Sequence, residues 1–449
     1  MLCAPLKFED ESMLCQANRW ADLIEFHIDH FQTSTLEKWR RLCHKPVIFK
    51  LSASNFNVLQ HQPEYVDLPH TVSPEVFESI KKQYPQVKLI CSYHDFEQTG
   101  DLTAVYRQLA SHPAEIYKIS TLARTTNDAL RMLKFMKTHK CLGICMGELG
   151  KITRILAPIF GAPWTYAPLS NAHRTASGQL LLDELVTVYR YRKHSPKTSL
   201  YGLIGDPVKK SSSHLIHNYA FKKLGLNATY IKMRVTPNEL EECLSLCKFL
   251  GFKGLSVTMP LKETVVRYLS HSFSQAVNTV GFKEEGVYGW NTDGIAALDV
   301  LEKYTKVKEK TIVLLGAGGA AWGVAHEAAK RGARLVILNR TLSRACRLAQ
   351  VVGGTAFTLE EFPRIAQLGY DILINCTSVG MGDDLSIPIS AKDLLEKKIV
   401  MEIVMRPRTT RLVAAAKAKQ CEIIEGIDMF IQQAAEQYYH WFQEHLVDG

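Results

Sequence analysis

Four side chains offer most of the reactive chemistry in this sequence: Lys118, His94, Lys262 and Asp293. Lys118, in Glu115-Ile116-Tyr117-Lys118-Ile119-Ser120, shares a strand face with Ile116 and Ser120. If that face points inward, poor solvation lowers the pKa of the amine and frees it to attack a carbonyl. His94 ends the preceding strand, and an imidazole titrating near neutrality suits a proton shuttle. The plainer readings are a Lys118 that snorkels to solvent and a His94 that is structural. Lys262 follows a strand that leads through Pro260 into a helix, whose positive end tends to depress the pKa of the amine. Asp293 stands where another helix begins, a position where Asp is by default an N-cap. Ser211, Ser212 and Ser213 open a third helix, where hydroxyls suit an anion or where one serine simply caps.

A second kind of chemistry is written in glycine. Val313-Leu314-Leu315-Gly316-Ala317-Gly318-Gly319-Ala320-Ala321 reads as a buried strand, a tight turn and a helix start, which is how a pyrophosphate is held on backbone amides. At the end of the next strand, Arg334–Leu338, an NAD site calls for an acid on the ribose. Here stand Asn339, Arg340, Thr341 and Arg344, so NADP is favoured.

The elements that must hold these residues divide at a polar, basic, proline-bearing seam, Tyr191 to Ser199. Before it, eight apolar runs (2–5, 21–28, 46–51, 65–68, 87–92, 116–121, 141–146 and 164–167) alternate with helical stretches, which predicts a (β/α)8 barrel with its chemistry at the carboxyl ends of the strands. After it comes a two-domain α/β arrangement with a Rossmann-type NADP domain. The expected boundaries are 1–194 for the barrel, 195–298 for a substrate-binding domain completed by 427–449, and 299–426 for the dinucleotide domain. Thirteen residues (52–64) separate the third run from the fourth, near the ~10 to 12 needed for a parallel crossover, so one barrel helix is expected to be lost or reduced to a turn.

Bulk properties narrow the class. With 449 residues, 46% apolar and 22% charged, the chain has room for two to four compact domains. The net charge of +9 is dispersed among acids, which favours anionic small molecules over nucleic acid. Eleven cysteines without a CxxC pair read as reduced thiols, and no metal site is expected. Neither a secretory core nor a segment of the ~18 to 20 apolar residues of a membrane span is visible, so the expected location is the cytoplasm. Oligomeric state is not legible.

The first 190 residues resemble type I 3-dehydroquinate dehydratase. The likeness rests on Ala21-Asp22-Leu23-Ile24-Glu25, Ser92-Tyr93-His94-Asp95-Phe96, Lys118 with its strand, Met146 to Arg154, and Ser177-Gly178-Gln179. It implies that Lys118 forms an imine with the substrate ketone and that His94 moves the proton beside it. It also implies that Glu25 orients His94, Arg154 pairs with the substrate carboxylate, and Thr175 and Gln179 line a closing loop. Two departures stand out. The family's Glu-x-Arg is Glu25-Phe26-His27 here, and its Arg followed by Glu-Gly-Gly falls on Ser52-Ala53-Ser54-Asn55-Phe56. A barrel serving only as a scaffold or regulatory module is therefore an open alternative.

Residues 199 to 445 resemble shikimate dehydrogenase. The motifs are Ser211 to Ser213, Gly254 to Glu263, Ala276 to Val280, Gly289 to Gly294, the glycine turn, and Gly426 to Ala435. The resemblance implies Ser211 and Ser213 as carboxylate binders, Lys262 and Asp293 as the catalytic pair, and Ser256, Thr258, Asn278 and Gln433 as holders of the substrate. It implies Gly316, Ala317, Gly318, Gly319, Ala320, Asn339, Arg340, Thr341 and Arg344 as cofactor contacts, with Ile403 and Gly426 near the nicotinamide. Here His214 replaces a usual proline, Ser256 an asparagine and Met405 a tyrosine. Together the halves imply consecutive steps, from 3-dehydroquinate through 3-dehydroshikimate to shikimate.

Overall fold

The computed structural model of the protein describes residues 1–32, 34–52 and 56–442. Its chain forms two compact units, Met1–Lys253 and Gly254–Gly449.

The first unit opens with eight strands: β1 (Leu2–Leu6), β2 (Leu23–His27), β3 (Val47–Lys50), β4 (Tyr65–Pro69), β5 (Lys88–Asp95), β6 (Ile116–Leu122), β7 (Leu142–Met146) and β8 (Thr165–Tyr166). All pair in parallel, in the order β7-β6-β5-β4-β3-β2-β1-β8, as one curled, barrel-like sheet. The runs are continuously apolar because helices cover the outer face while the inner face closes on itself. Val47, Ile48 and Phe49 are wholly buried, for example. Between β3 and β4 the expected loss of a helix is met by a 3-10 segment, Phe56–His61, which still buries Val58 and Leu59. Ala53, Ser54 and Asn55, within the stretch where the family motif is missing, lie outside the described residues.

The helix Thr126–Thr138, which follows β6, starts on a reciprocal cap between Thr125 and Asp128. It lies against Leu240–Leu250, where the Arg131 fork donates to both oxygens of Glu242 at 2.7 and 2.8 Å. That second helix belongs to a further parallel pair, β9 (Ser199–Gly205) and β10 (Ala228–Arg234).

In the second unit β11 (Phe252–Val257), β12 (His271–Ser272), β13 (Thr279–Lys283) and β14 (Gly286–Trp290) form a small mixed sheet. A fully parallel sheet follows: β15 (Thr311–Leu315), β16 (Arg334–Leu338), β17 (Thr355–Phe357), β18 (Ile372–Asn375), β19 (Ile399–Glu402) and β20 (Glu422–Glu425), ordered β17-β16-β15-β18-β19-β20. Its residues alternate between two cores, Ile312, Leu314, Ile337 and Ile374 on one face and Val313, Leu315, Leu338 and Leu373 on the other. The strand order reverses between β15 and β18, and a ligand crevice forms at such a switch point. Among the described residues no helix is long and apolar enough to cross a membrane.

Candidate active sites

Period-two alternation decides which barrel side chains face inward. Register sets Lys50 beside Asp67 and Ser92 beside Lys118. The resulting cavity is lined by Glu25, Lys50, His94, Phe96, Lys118, Arg154, Tyr166, Thr175 and Gln179, among others. Lys118 is 4% exposed; its Nζ donates to Asp67 Oδ2 at 2.6 Å, stands 3.9 Å from Glu25 Oε2 and lies over the Tyr166 ring.

Three expectations are corrected here. Burial alone pushes the Lys118 pKa down, but Asp67 and Glu25 together raise it, so the resting amine is a firmly held ammonium. His94 does not titrate near neutrality: burial, then the charges of Lys118 and Lys50, hold it down to about 3, and it rests as a neutral imidazole. Glu25 does not hold His94. Its Oε1 accepts from His27 Nε2 at 2.9 Å and its other oxygen faces Lys118; although burial opposes ionisation, Lys118 and His27 keep the carboxyl well below the usual range.

Arg154, on the helix Lys151–Leu156, is 2% exposed, and its Nε has no hydrogen-bond partner among the described residues. Burial lowers its pKa to about 10. A buried guanidinium without a carboxylate is costly, which points to an anionic ligand. Gln179 cross-links its own loop, accepting from Thr175 N at 2.8 Å and donating to Thr175 Oγ1 at 3.0 Å.

Also in the first unit, Ser213 begins the helix Ser213–Lys223, and its hydroxyl lies 2.9 Å from that of Ser211.

The second unit brings Lys262 and Asp293 into direct hydrogen-bonded contact. The helix carrying Lys262 is a single turn, Leu261–Thr264. Asp293 is not the cap: Asn291 takes that duty, accepting from the amides of Asp293 and Gly294, which leaves the carboxylate free inside the first turn of Thr292–Leu301. Asn278 Nδ2 donates to Asp293 Oδ1 at 2.8 Å and reaches Gln433 Oε1 at 3.5 Å, so it orients the acid. Thr258 is half-buried just past β11, whereas the Ser256 hydroxyl donates to buried Gln437 at 2.8 Å.

The dinucleotide turn meets this pair. A Cβ on Gly319 would strike the Lys262 side chain at 2.8 Å. Gly316 has φ +106, and a Cβ there would crowd Thr377 and the Cys376 carbonyl, so only glycine suits the turn. Ala317 is buried, and Gly318 caps the helix Gly319–Lys330, which contains Ala320. Asn339 donates to the Thr341 carbonyl, which braces the turn after β16, while Arg340 and Arg344 are exposed with no ion pair among the described residues. Gly426 packs on the Ile403 carbonyl, and a Cβ would lie 2.7 Å from it. A pyrophosphate and a ribose phosphate fit this donor set: bare amides at a helix start, then two free guanidiniums.

Several contributors escaped the reading of motifs. Asp67 was legible as a lone acid on the apolar strand Tyr65–Pro69. Lys50 ends its strand like a surface residue, and Gln437 sits on a helix whose buried face only packing defines.

Comparison with known proteins matches three successive stretches of the chain to families. Residues 2–196 match the type I 3-dehydroquinase family, 203–281 the shikimate dehydrogenase substrate-binding domain, and 299–381 shikimate / quinate 5-dehydrogenase. The shikimate biosynthesis protein AroDE of Chlamydia pneumoniae is 37% identical over 87% of this chain and 81% of its own length. The chloroplastic bifunctional 3-dehydroquinate dehydratase/shikimate dehydrogenase of Arabidopsis thaliana is 30% identical over 98% of this chain and 81% of its own. Shikimate 5-dehydrogenase of Thermus thermophilus, solved with NADP(H) and shikimate, superposes with a TM-score of 0.51 at 30% identity, covering 54% of this chain and 93% of that one. With 87% and 98% of its length matched in single relatives, this chain belongs to the family of bifunctional 3-dehydroquinate dehydratase/shikimate dehydrogenase proteins.

Proposed function

We propose that the chain dehydrates 3-dehydroquinate to 3-dehydroshikimate at Lys118 and reduces that product to shikimate with NADPH beside Lys262 and Asp293. The domain boundaries adopted are 1–194, 195–298 completed by 427–449, and 299–426. The observation that carries the reading is the pairing of two lysines with acids, buried Lys118 with Asp67 and half-buried Lys262 with Asp293.

In the barrel, an ammonium and a ketone combine to a protonated imine and water, with no change in net charge. Asp67 and Glu25 therefore neutralise the cation before and after the bond forms. The imine withdraws electrons, so neutral His94 removes the adjacent C–H proton and returns it to the departing hydroxyl, which leaves as water. Hydrolysis of the imine takes back one water and frees Lys118, and Arg154 holds the substrate carboxylate meanwhile. An inert scaffold has no need of a buried, unpaired arginine facing an ion-paired lysine, so the active reading is preferred.

In the dehydrogenase, bound NADPH supplies the hydride. Lys262 and Asp293 deliver the proton to the carbonyl oxygen as it becomes a hydroxyl, with Asn278 fixing the acid. Arg340 and Arg344 would hold the 2′-phosphate, Gly316 to Ala320 the pyrophosphate, and Ile403 and Gly426 would lie at the nicotinamide end. Thr258 and Gln433 hold the ring hydroxyls, and the carboxylate-binding roles of Ser211 and Ser213 rest on the family resemblance. Ser256 is better read as support for the site through Gln437. Eleven free cysteines favour a reducing compartment, and we assign the cytoplasm.

The test is to supply dehydroquinate and NADPH to the purified chain. NADPH is consumed by the wild type, is not consumed by Lys118→Ala, and is consumed again when dehydroshikimate is added to the variant. Failure of that rescue refutes the sequential reading.

A further inference from the structure

A second cavity of the first unit, about 620 Å³ in volume, is lined by none of the residues assigned to either reaction. Four stretches of chain wall it: 136–141, which lead into β7; 159–161, which precede β8; 196–200, which enter β9; and 250–253, where β11 begins. Each stands at the amino end of a strand, whereas His94 and Arg154 stand at and beyond the carboxyl ends of β5 and β7. The amino face of a parallel barrel ordinarily serves stability alone, and a roomy, charged cavity is not what stability requires.

The walls are braced from within. The Thr198 hydroxyl donates to Asn227 Oδ1 at 2.8 Å and accepts from the Ser195 amide at 2.9 Å. The His139 ring stacks on Phe135 at 4.0 Å, and Lys137 Nζ donates to the Phe249 carbonyl at 3.2 Å. Walls tied in this way are formed before a ligand arrives, which lowers the cost of binding one.

The lining is apolar below and cationic above. Met136, Phe160, Leu200 and Leu250 are buried and make the floor. Around them stand Lys137, His139, Lys140, Lys197 and Lys253, with no carboxylate among the described lining residues. Lys137 is engaged with Phe249, but Lys140, Lys197 and Lys253 are exposed, with no ion pair and no side-chain hydrogen bond among the described residues. Elsewhere lysines are matched by acids, as Lys81 is by Glu115 at 2.6 Å and Lys151 by Glu148 at 2.7 Å. Ammonium groups gathered on one rim repel one another, and a ligand with several negative charges relieves that repulsion. Compact ammonium charges suit phosphate, and the volume falls within the ~300–1,000 Å³ of small-molecule sites.

We propose that this cavity binds a small organic phosphate carrying two or more negative charges, with its phosphates on Lys140, Lys197 and Lys253 and its carbon frame on the apolar floor. Such a ligand ties the barrel stretches to the seam and stabilises the first unit without meeting substrate.

The test is calorimetric titration of the full chain with magnesium-free ATP and, separately, with tripolyphosphate, at about 0.15 M salt. NADP+ is kept saturating so that the dinucleotide crevice is filled. ATP should saturate one site per chain and bind more tightly than tripolyphosphate, which has no frame for the floor. The triple variant Lys140→Gln, Lys197→Gln, Lys253→Gln should bind ATP about 10- to 100-fold more weakly. A control, Lys82→Gln, Lys303→Gln, Lys392→Gln, removes the same charge from exposed positions outside the cavity and should change the affinity by less than about twofold. Both variants should keep the wild-type melting temperature without ligand and the wild-type KM values, which reports that they are folded. Absence of saturable ATP binding by the wild type overturns the proposal. Equal weakening in the two triple variants also does so, because it marks diffuse attraction to a basic surface. Displacement of ATP by dehydroquinate overturns it by placing the anion at Arg154, and tripolyphosphate binding as tightly as ATP overturns the organic class of the ligand.

Discussion

The two lysines that define this protein are held by opposite strategies. Lys118 stands inside a curled sheet with its charge gripped by two acids, and the His94 imidazole that lines the same cavity is held neutral. Lys262 stands on one turn of helix, 17% exposed, against a single acid and against the glycine turn. The difference follows from the chemistry. A lysine of this kind is cationic at rest and again as an iminium, so permanent counter-charges help it before and after the covalent bond forms. A lysine that only hands over a proton needs one partner and an open side for the cofactor. The same residue type is therefore placed deep in one region and at the edge of a crevice in the other.

The comparison breaks most sharply at Lys118. Lys118→Ala should cut dehydratase turnover by about 10⁴-fold or more while the dehydrogenase rate is unchanged, as read by separate assays on one sample. Lys262→Met or Asp293→Asn should do the converse, lowering dehydrogenase kcat by roughly 10²- to 10⁴-fold and leaving imine trapping on Lys118 intact. If either variant damaged both activities, the two centres would not be independent devices.

Smaller effects sharpen the contrast. Replacing Arg340 and Arg344 by alanine should raise the KM for NADPH by about 10- to 100-fold and leave that for NADH nearly unmoved, because only the 2′-phosphate contact is lost. In the first unit, burial lowers the pKa of His94 and His217 to about 3 and of His194 and His214 to about 4. Each binds a proton more readily unfolded, near 6.5, so their contribution is present above that pH and is lost as pH falls towards 4. In the second unit only His440 is clearly lowered among the described histidines, and buried Glu402 has a raised pKa, which favours folding as pH falls. Hydrogen exchange between pH 7 and 4 should loosen the first unit before the second; the reverse order would contradict this distribution of buried groups. Smallest of all, Gln437→Ala should cost about 1 to 3 kcal/mol by orphaning the buried Ser256 hydroxyl, seen as a lower denaturant midpoint.

Much of the fold was legible because burial imprints a period on the chain. The eight apolar runs and the strand–glycine–helix passage at Val313 to Ala321 each correspond to an element. The reactive residues were legible where a motif surrounds them, as with Ser92 to Phe96. What surrounded them electrically was not. Asp67 is 51 residues from Lys118, and Lys50 is 68, and neither separation carries a pattern. A default rule taken alone would mislead at one position. Asp293 has the residue type of a cap, but Asn291, two places earlier, satisfies the amides first.

The order of residues by itself determined which stretches are strands and helices, where the glycine turn must lie and which side chains are chemically able to act, since these depend on local sterics and on the spacing of apolar groups. Only the tertiary structure decided their protonation and partnership: that Lys118 is a caged cation, that His94 is a neutral base and that Glu25 serves His27 and Lys118. A pKa depends on distance and on exclusion of water, and both are set when strands distant in sequence close around one cavity.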